Sequence, residues 1–254
     1  MARKRKQTAS RVFFSVLLMA ALAAGAYYLG KYYAGPRFVR YPGFGIDIPV
    51  SYSIHGIDVS RHQDDIDWKE VKLMQEKKVR VGFAFIKATE GLGKVDGTFR
   101  RNWSGIRRQG MPRGAYHFFI SSKSGKAQAE NFIETVDLQP GDLPPVLDIE
   151  TVNGTSAVII RQRAKEWLQL VEQHYKVKPM IYTNVGFYTN ILGKEFDDYP
   201  LWIAHYLVKD RPRIGRRWDF WQHNESGHVN GIGTSVDFNV FNGDSAAFRK
   251  LLLR

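Results

Sequence analysis

The sequence predicts an α/β protein built as an irregular (β/α) barrel of eight strands. Three observations carry this reading. From Ile54 onward, short apolar runs alternate with amphipathic helical patterns, the signature of a parallel sheet. Eight such runs occur over about 200 residues, the number that closes a barrel. The last three runs follow one another without convincing helices between them, so the second half carries a reduced helix complement. The chain has 254 residues, of which 44% are hydrophobic. That is enough for one sizeable core.

Before the barrel stands a leader. Residues 1–11 are basic, with Arg3, Lys4, Arg5, Lys6 and Arg11. Residues 12–30 contain no charge, and nineteen residues of helix reach about 28 Å, close to the hydrocarbon thickness of a bilayer. The basic cluster predicts a cytoplasmic N-terminus, and Tyr27, Tyr28, Tyr32 and Tyr33 fit an interfacial belt. A transmembrane anchor is favoured over a cleaved signal, although 21–23 and 24–26 resemble cleavage sites. The membrane is thus an expected partner. The expected location is the bacterial inner membrane, single-pass, with the barrel domain on the periplasmic side, or secretion after cleavage. Residues 31–53, with Pro36, Pro42 and Pro49, read as a linker, and residues 54–254 as the barrel domain.

The strands expected are 54–59, 81–87, 114–119, 146–150, 180–183, 201–205, 219–223 and 235–239. The helices between them are 65–78, 98–109, 124–136, 155–175 and a short 184–192, with a last helix over 245–252 capped by Asp244. Phe99, Trp103 and Ile106 mark the buried stripe of the second helix, and Gly110 ends it.

Charge narrows the function. The net charge is +12, but residues 1–40 supply eight basic groups and no acid, leaving 29 basic against 25 acidic groups beyond them. No basic stripe remains to serve as a nucleic-acid footprint, although the modest excess can help on an anionic polymer. There is no cysteine, so disulfides and thiolate metal sites are excluded. The seven histidines show no paired ligand spacing, and neither a nucleophile elbow nor a phosphate loop is present. No cofactor and no metal is expected.

Polar groups recur near the strand ends, which line one mouth of a barrel. Asp148 and Glu150, in PVLDIE, lie two residues apart and point to the same side, with Cβ atoms roughly 6–7 Å apart. Two carboxylates that close cannot both ionise easily, and a neutral acid beside an anion is what glycoside cleavage needs. Asp58, in HGIDVS, ends the first strand, and Asp237, in SVDFN, ends the last. First and last strands are neighbours in a closed barrel, so these two acids should sit side by side opposite the other pair. Either aspartate could also be a turn or cap residue. Among the aromatics, Tyr116, Tyr182 and Trp202 are candidates to stack on sugar faces, while Trp68 and Trp218 read as core.

The segments HGIDVSRHQDDIDW, FAFIKATEG, GAYHFF, PVLDIE, PMIYTN, LWIAHY and WQHNESGHVNGIGTSVDFNVFNG resemble, in order and spacing, glycoside hydrolase family 25, the Chalaropsis-type lysozymes or N-acetylmuramidases. The likeness spans about residues 54–243. It implies a TIM-like barrel and hydrolysis of the β-1,4 bond between N-acetylmuramic acid and N-acetylglucosamine in peptidoglycan, whose glycan strands become the expected partner. It implies Glu150 as general acid, Asp148 as the group assisting the substrate's acetamido group, and Asp58 and Asp237 as the rest of an acidic floor. Tyr116, Tyr182, Trp202 and Gln222 would shape sugar subsites. Glu90, of ATEG, is either a substrate-binding residue or a structural ion-pair partner. Arg61-His62 and His223 depart from the family pattern. Retention through the substrate's acetamido group and inversion through Asp58 or Asp237 are both compatible with this set. Two rival readings share the residues: a glycan-binding module without turnover, and a chitinase-like hydrolase.

Overall fold

The computed structural model describes residues 2–33, 37–208 and 210–254, with side chains over 14–30 and from 37 onward except 209. It divides into two units, 1–37 and 38–254. The first unit is a helix, Ala2–Tyr33, along which Phe14, Leu17, Leu18, Met19 and Leu22 are exposed. Among the described residues no helix is long and apolar enough to cross a membrane, so the span expected over 12–30 is not supported. The side chains of 12 and 13, and of the basic segment 1–11, lie outside the described residues. From Phe14 to Gly30 the run reaches only about 26 Å and is diluted by Ala, Gly and Tyr.

The second unit is the barrel. Its staves are β1 (His55–Val59), β2 (Val79–Glu90), β3 (Arg113–Phe118), β4 (Val146–Asp148), β5 (Met180–Asn184), β6 (Leu201–Ala204), β7 (Phe220–Gly227) and β8 (Val236–Phe241). Successive strands from β1 to β7 pair in parallel. The last strand departs from the expected parallel sheet. β8 runs antiparallel to both β7 and β1, and closes the barrel between them. A short connection explains this: only eight residues separate β7 from β8, too few for the crossover that a parallel strand requires.

The helices are α1 (Trp68–Leu73), α2 (Phe99–Arg108), α3 (Gly125–Thr135), α4 (Ala157–Tyr175) and, after β8, α5 (Ser245–Leu251). α1 is shorter than the expected 65–78. Asp67 caps it by accepting from Lys69 N and Glu70 N, and Met74 then turns extended so that Gln75–Glu76 pairs with the start of β2. Between β5 and β6 the short helix expected over 184–192 is present as an α turn, Val185–Phe187, continued by a π turn, Tyr188–Leu192, and a 3₁₀ turn follows over Lys194–Phe196. The stretch expected as a linker is structured from Phe38. Phe38–Tyr41 and Ile46–Pro49 form an antiparallel hairpin. Its Phe44, Ile46 and Ile48 are buried, and His228 N donates to Phe44 O at 2.9 Å.

The barrel interior changes character with height. Period-two alternation sends Phe83, Phe85 and then Lys87 inward along β2, Val146 and Asp148 along β4, Met180 and Tyr182 along β5, and Phe220 and Gln222 along β7. The lower layers are aromatic: Phe83 lies 5.1 Å from Phe220, and Phe85 stacks on Trp202 at 4.3 Å. The next residues along each strand are polar, and they form the floor of the mouth.

Candidate active site

A cleft of ≈ 260 Å³ opens at that mouth. It is lined by Asp58, Asp148, Glu150 and Asp237 together with Tyr116, Tyr182, Trp202 and Gln222. The structure therefore gathers eight of the nine expected residues. The ninth, Glu90, does not line it. Its carboxylate accepts from Lys87 Nζ at 2.7 Å and from Lys94 Nζ at 2.8 Å. Burial alone would raise its pKa, but those two cations outweigh burial and hold it down at about 2. Lys87, Val59, Ser60, His62, Gln63 and Phe118 complete the lining.

Asp58 and Asp237 are register partners across β1 and β8. Asp237 is the second residue of β8 and not near its end; it reaches the mouth because the strand runs the other way. Asp58 Oδ2 accepts from Gln222 Nε2 at 2.9 Å and from Asn239 Nδ2 at 2.7 Å. Both amides are oriented from behind. Gln222 Oε1 accepts the hydroxyls of Tyr182 (2.7 Å) and Tyr206 (2.5 Å), and Asn239 Oδ1 accepts Trp202 Nε1 at 2.7 Å. With the carbonyl ends occupied, only the NH₂ ends can face the carboxylate. Burial first, then the charge of Asp58 and a hydrogen bond to it, push the pKa of Asp237 up to about 9. Burial raises the pKa of Asp58 as well, but hydrogen bonds from Asn239, Gln222 and Asp237 oppose that rise, which favours the proton on Asp237.

Asp148 and Glu150 form the opposite wall. Asp148 closes β4, and Glu150 lies two residues on, just past the strand, where it is half-buried. Burial and then the charge of Glu150 raise the pKa of Asp148 well above the ordinary range, with Lys87 opposing. Burial and then Asp58 raise Glu150, again with Lys87 opposing. Asp148 Oδ1 is buried without a hydrogen-bond partner, an acceptor position that costs stability until a donor arrives.

Trp202 is 1% exposed. One ring face stacks on Phe85 and Tyr182 lies 4.4 Å away, so most of this ring is spent on the floor of the cleft. Tyr116 is only half-buried and retains the better geometry for stacking on a sugar. Lys87, Asn239 and Tyr206 were missing from the expected set. Lys87 could have been found from its parity with Phe83 and Phe85, and Asn239 from its parity with Asp237. Among the described residues, no group of three or more His, Asp or Glu side chains is arranged to hold a metal ion.

Comparison with known proteins agrees with this geometry. The family model of glycosyl hydrolases family 25 matches residues 57–232. The chain is 50% identical over 200 residues to the uncharacterised protein YegX of Escherichia coli (strain K12), covering 79% of this chain and 74% of that one. It is 34% identical over 209 residues to lysozyme M1 of Streptomyces globisporus, covering 76% and 69%. The solved structure of a family 25 glycosyl hydrolase from Bacillus anthracis superposes with a TM-score of 0.72 at 34% identity, covering 80% of this chain and 95% of that one. This chain belongs to glycosyl hydrolases family 25 and is a glycoside hydrolase.

Proposed function

We propose that the enzyme cleaves the β-1,4 bond between N-acetylmuramic acid and N-acetylglucosamine in peptidoglycan, with Glu150 as the proton donor. The observation that carries the reading is the orphaned Asp148 Oδ1, buried in the same cleft as the half-buried Glu150. An acetamido N–H is a donor of the right kind for it. Accepting that N–H favours the Asp148 anion, and an anion two residues away moves the shared proton to Glu150. Glu150 then protonates the leaving glycosidic oxygen while the acetamido carbonyl oxygen attacks the anomeric carbon. Water opens the resulting ring with the Glu150 carboxylate taking its proton, and configuration is retained. Asp58, clamped by Gln222 and Asn239, holds negative potential beneath the developing positive charge. Tyr116, Tyr182 and Gln222 shape the sugar subsites.

Lysozyme M1 and the autolytic lysozyme of Clostridium acetobutylicum, 33% identical over 187 residues, support the wall as substrate. A place of action outside the cytoplasm follows. Export rests on the sequence of the leader, a basic segment followed by nineteen uncharged residues, and not on a span in the structure. Dye release from labelled peptidoglycan tests the activity, and mass analysis of the fragments identifies the bond. Reducing-end N-acetylmuramic acid is the expected product. Equal traces for the parent and Glu150→Gln would point to a binding module. Faster digestion of chitin oligomers would point to a chitinase, and first release of the inverted anomer would exclude the acetamido route.

A further inference from the structure

The groove on the outer side of α2 has no part in the cleft. It encloses ≈ 550 Å³ and is lined by Arg100, Trp103, Ser104, Arg107 and Arg108 of that helix, with Arg113 and Asp137 beside them. Positions 100, 103, 104, 107 and 108 share one helical face, and Arg100 to Arg108 spans about 12 Å. Arg100, Arg107 and Arg108 are exposed. Among the described residues none of the three has a side-chain ion pair, whereas Arg101 pairs with Asp64 and Asp65, and Arg113 with Asp142. The one acid of the groove, Asp137, already accepts from Gln139 Nε2 at 2.7 Å. Trp103 forms a fixed floor: the Arg113 guanidinium lies 3.7 Å from its ring centroid and is itself held by Asp142 at 2.7 and 3.1 Å.

The first turn of α2 lies near the rim of the cleft, through a residue beside the stripe, Arg101. Gln63 lines the cleft, and the carbonyl of the next residue, Asp64, accepts from Arg101 Nη2 at 3.0 Å. From there α2 carries its arginines down the flank of the barrel. A planar guanidinium binds a carboxylate through two parallel hydrogen bonds, and three free ones in a row fit an extended chain that bears carboxylates at intervals. We propose that this Arg–Trp stripe is a second, non-catalytic attachment site for the carboxylates of the wall polymer, gripping peptide stems of a strand whose glycan lies in the cleft. The inference rests on the reading of peptidoglycan as substrate. Its effect is to raise the local concentration of glycan at the mouth.

Co-sedimentation with insoluble peptidoglycan tests it, using the full chain carrying Glu150→Gln so that the wall stays intact. Adding Arg100→Gln, Arg107→Gln and Arg108→Gln together should weaken binding on the order of tenfold at low salt, and high salt should abolish the difference. The corresponding triple Lys variant should keep most of the binding, and Arg211→Gln with Arg213→Gln, which removes elsewhere the same charge as Arg107→Gln with Arg108→Gln, should keep it all. Wall whose carboxyls have been amidated should bind the parent as weakly as untreated wall binds the triple Gln variant. Parent-like binding by the triple Gln variant, equal weakening by the Arg211/Arg213 pair, or undiminished binding to amidated wall would each overturn the proposal. If the triple Gln variant loses its circular dichroism, Arg107→Gln with Arg108→Gln gives the same reading. With Glu150 restored, the triple Gln variant should cleave soluble, peptide-free glycan at the parent's kcat/KM and show a raised KM only on intact wall. A parent that cleaves neither polymer sinks the hydrolase reading and leaves the sedimentation result standing.

Discussion

The carboxyl of Asp237 is kept neutral by burial and by the anion opposite it, and that condition has a cost that depends on pH. Its pKa is raised from the ordinary aspartate range to about 9 in the folded chain, so the native state binds the extra proton between those values. Native stability from this group is complete at low pH and falls as pH rises through about 9. Asp237→Asn should therefore match the parent in Tm near pH 4 and exceed it increasingly up to pH 9, with reduced turnover; melts across that range check it. Glu150→Gln should lower kcat by about 10²–10⁴ with the fold unchanged, as measured by dye release. At this scale the acids were legible because Asp-x-Glu and the strand-end aspartates are local patterns. Asn239 was not, because its importance comes from a partner, Asp58, 181 residues away. Trp202 was legible as a residue of the site but not in its role, since only packing shows that Phe85 covers one of its faces.

Among the elements, α3 and α4 meet through a glycine. A Cβ on Gly125 would lie 2.0 Å from the backbone oxygen of Arg163, a clash that no side-chain rotation relieves. Gly125→Ala should destabilise the barrel by about 1–3 kcal/mol in urea unfolding, with activity per folded molecule retained. The buried Arg113–Asp142 pair ties the start of β3 to the loop before β4. Asp142→Ala leaves a buried guanidinium without its carboxylate and should cost about 3–5 kcal/mol by the same measurement. Most elements could be read from periodicity, and the ends of α3 and α5, capped by Ser124 and Asp244, agree with expectation within about one residue, whereas α1, capped by Asp67, stops well short of its expected end because Met74 turns extended. The hairpin at 38–49 could not. Its strands are four residues long, too short for a period to show, and its prolines read as linker until Phe44 is seen packed 5.4 Å from Phe238.

Across the whole molecule, the buried histidines have a pH dependence opposite to that of the cleft acids. Burial lowers the pKa of His55 and of His117 to about 4 and that of His223 to about 3. The unfolded chain binds these protons near pH 6.5 and the folded chain does not, so each contributes stability above about 6.5 that is lost as pH falls toward 4. His223 has no partner on either ring nitrogen and packs 5.6 Å from Trp221. His223→Phe should therefore give a gain in Tm that is small at pH 7 and grows toward pH 4. The sequence by itself determined the strand count, the sparse helices of the second half and the identity of the four acids, because periodicity and short motifs are properties of neighbours along the chain. Only the tertiary structure decided that β8 runs backward, that Glu90 is spent on two lysines, and which amides clamp Asp58. Those are pairings between residues far apart in sequence, fixed by barrel closure and by the need of every buried polar group for a partner.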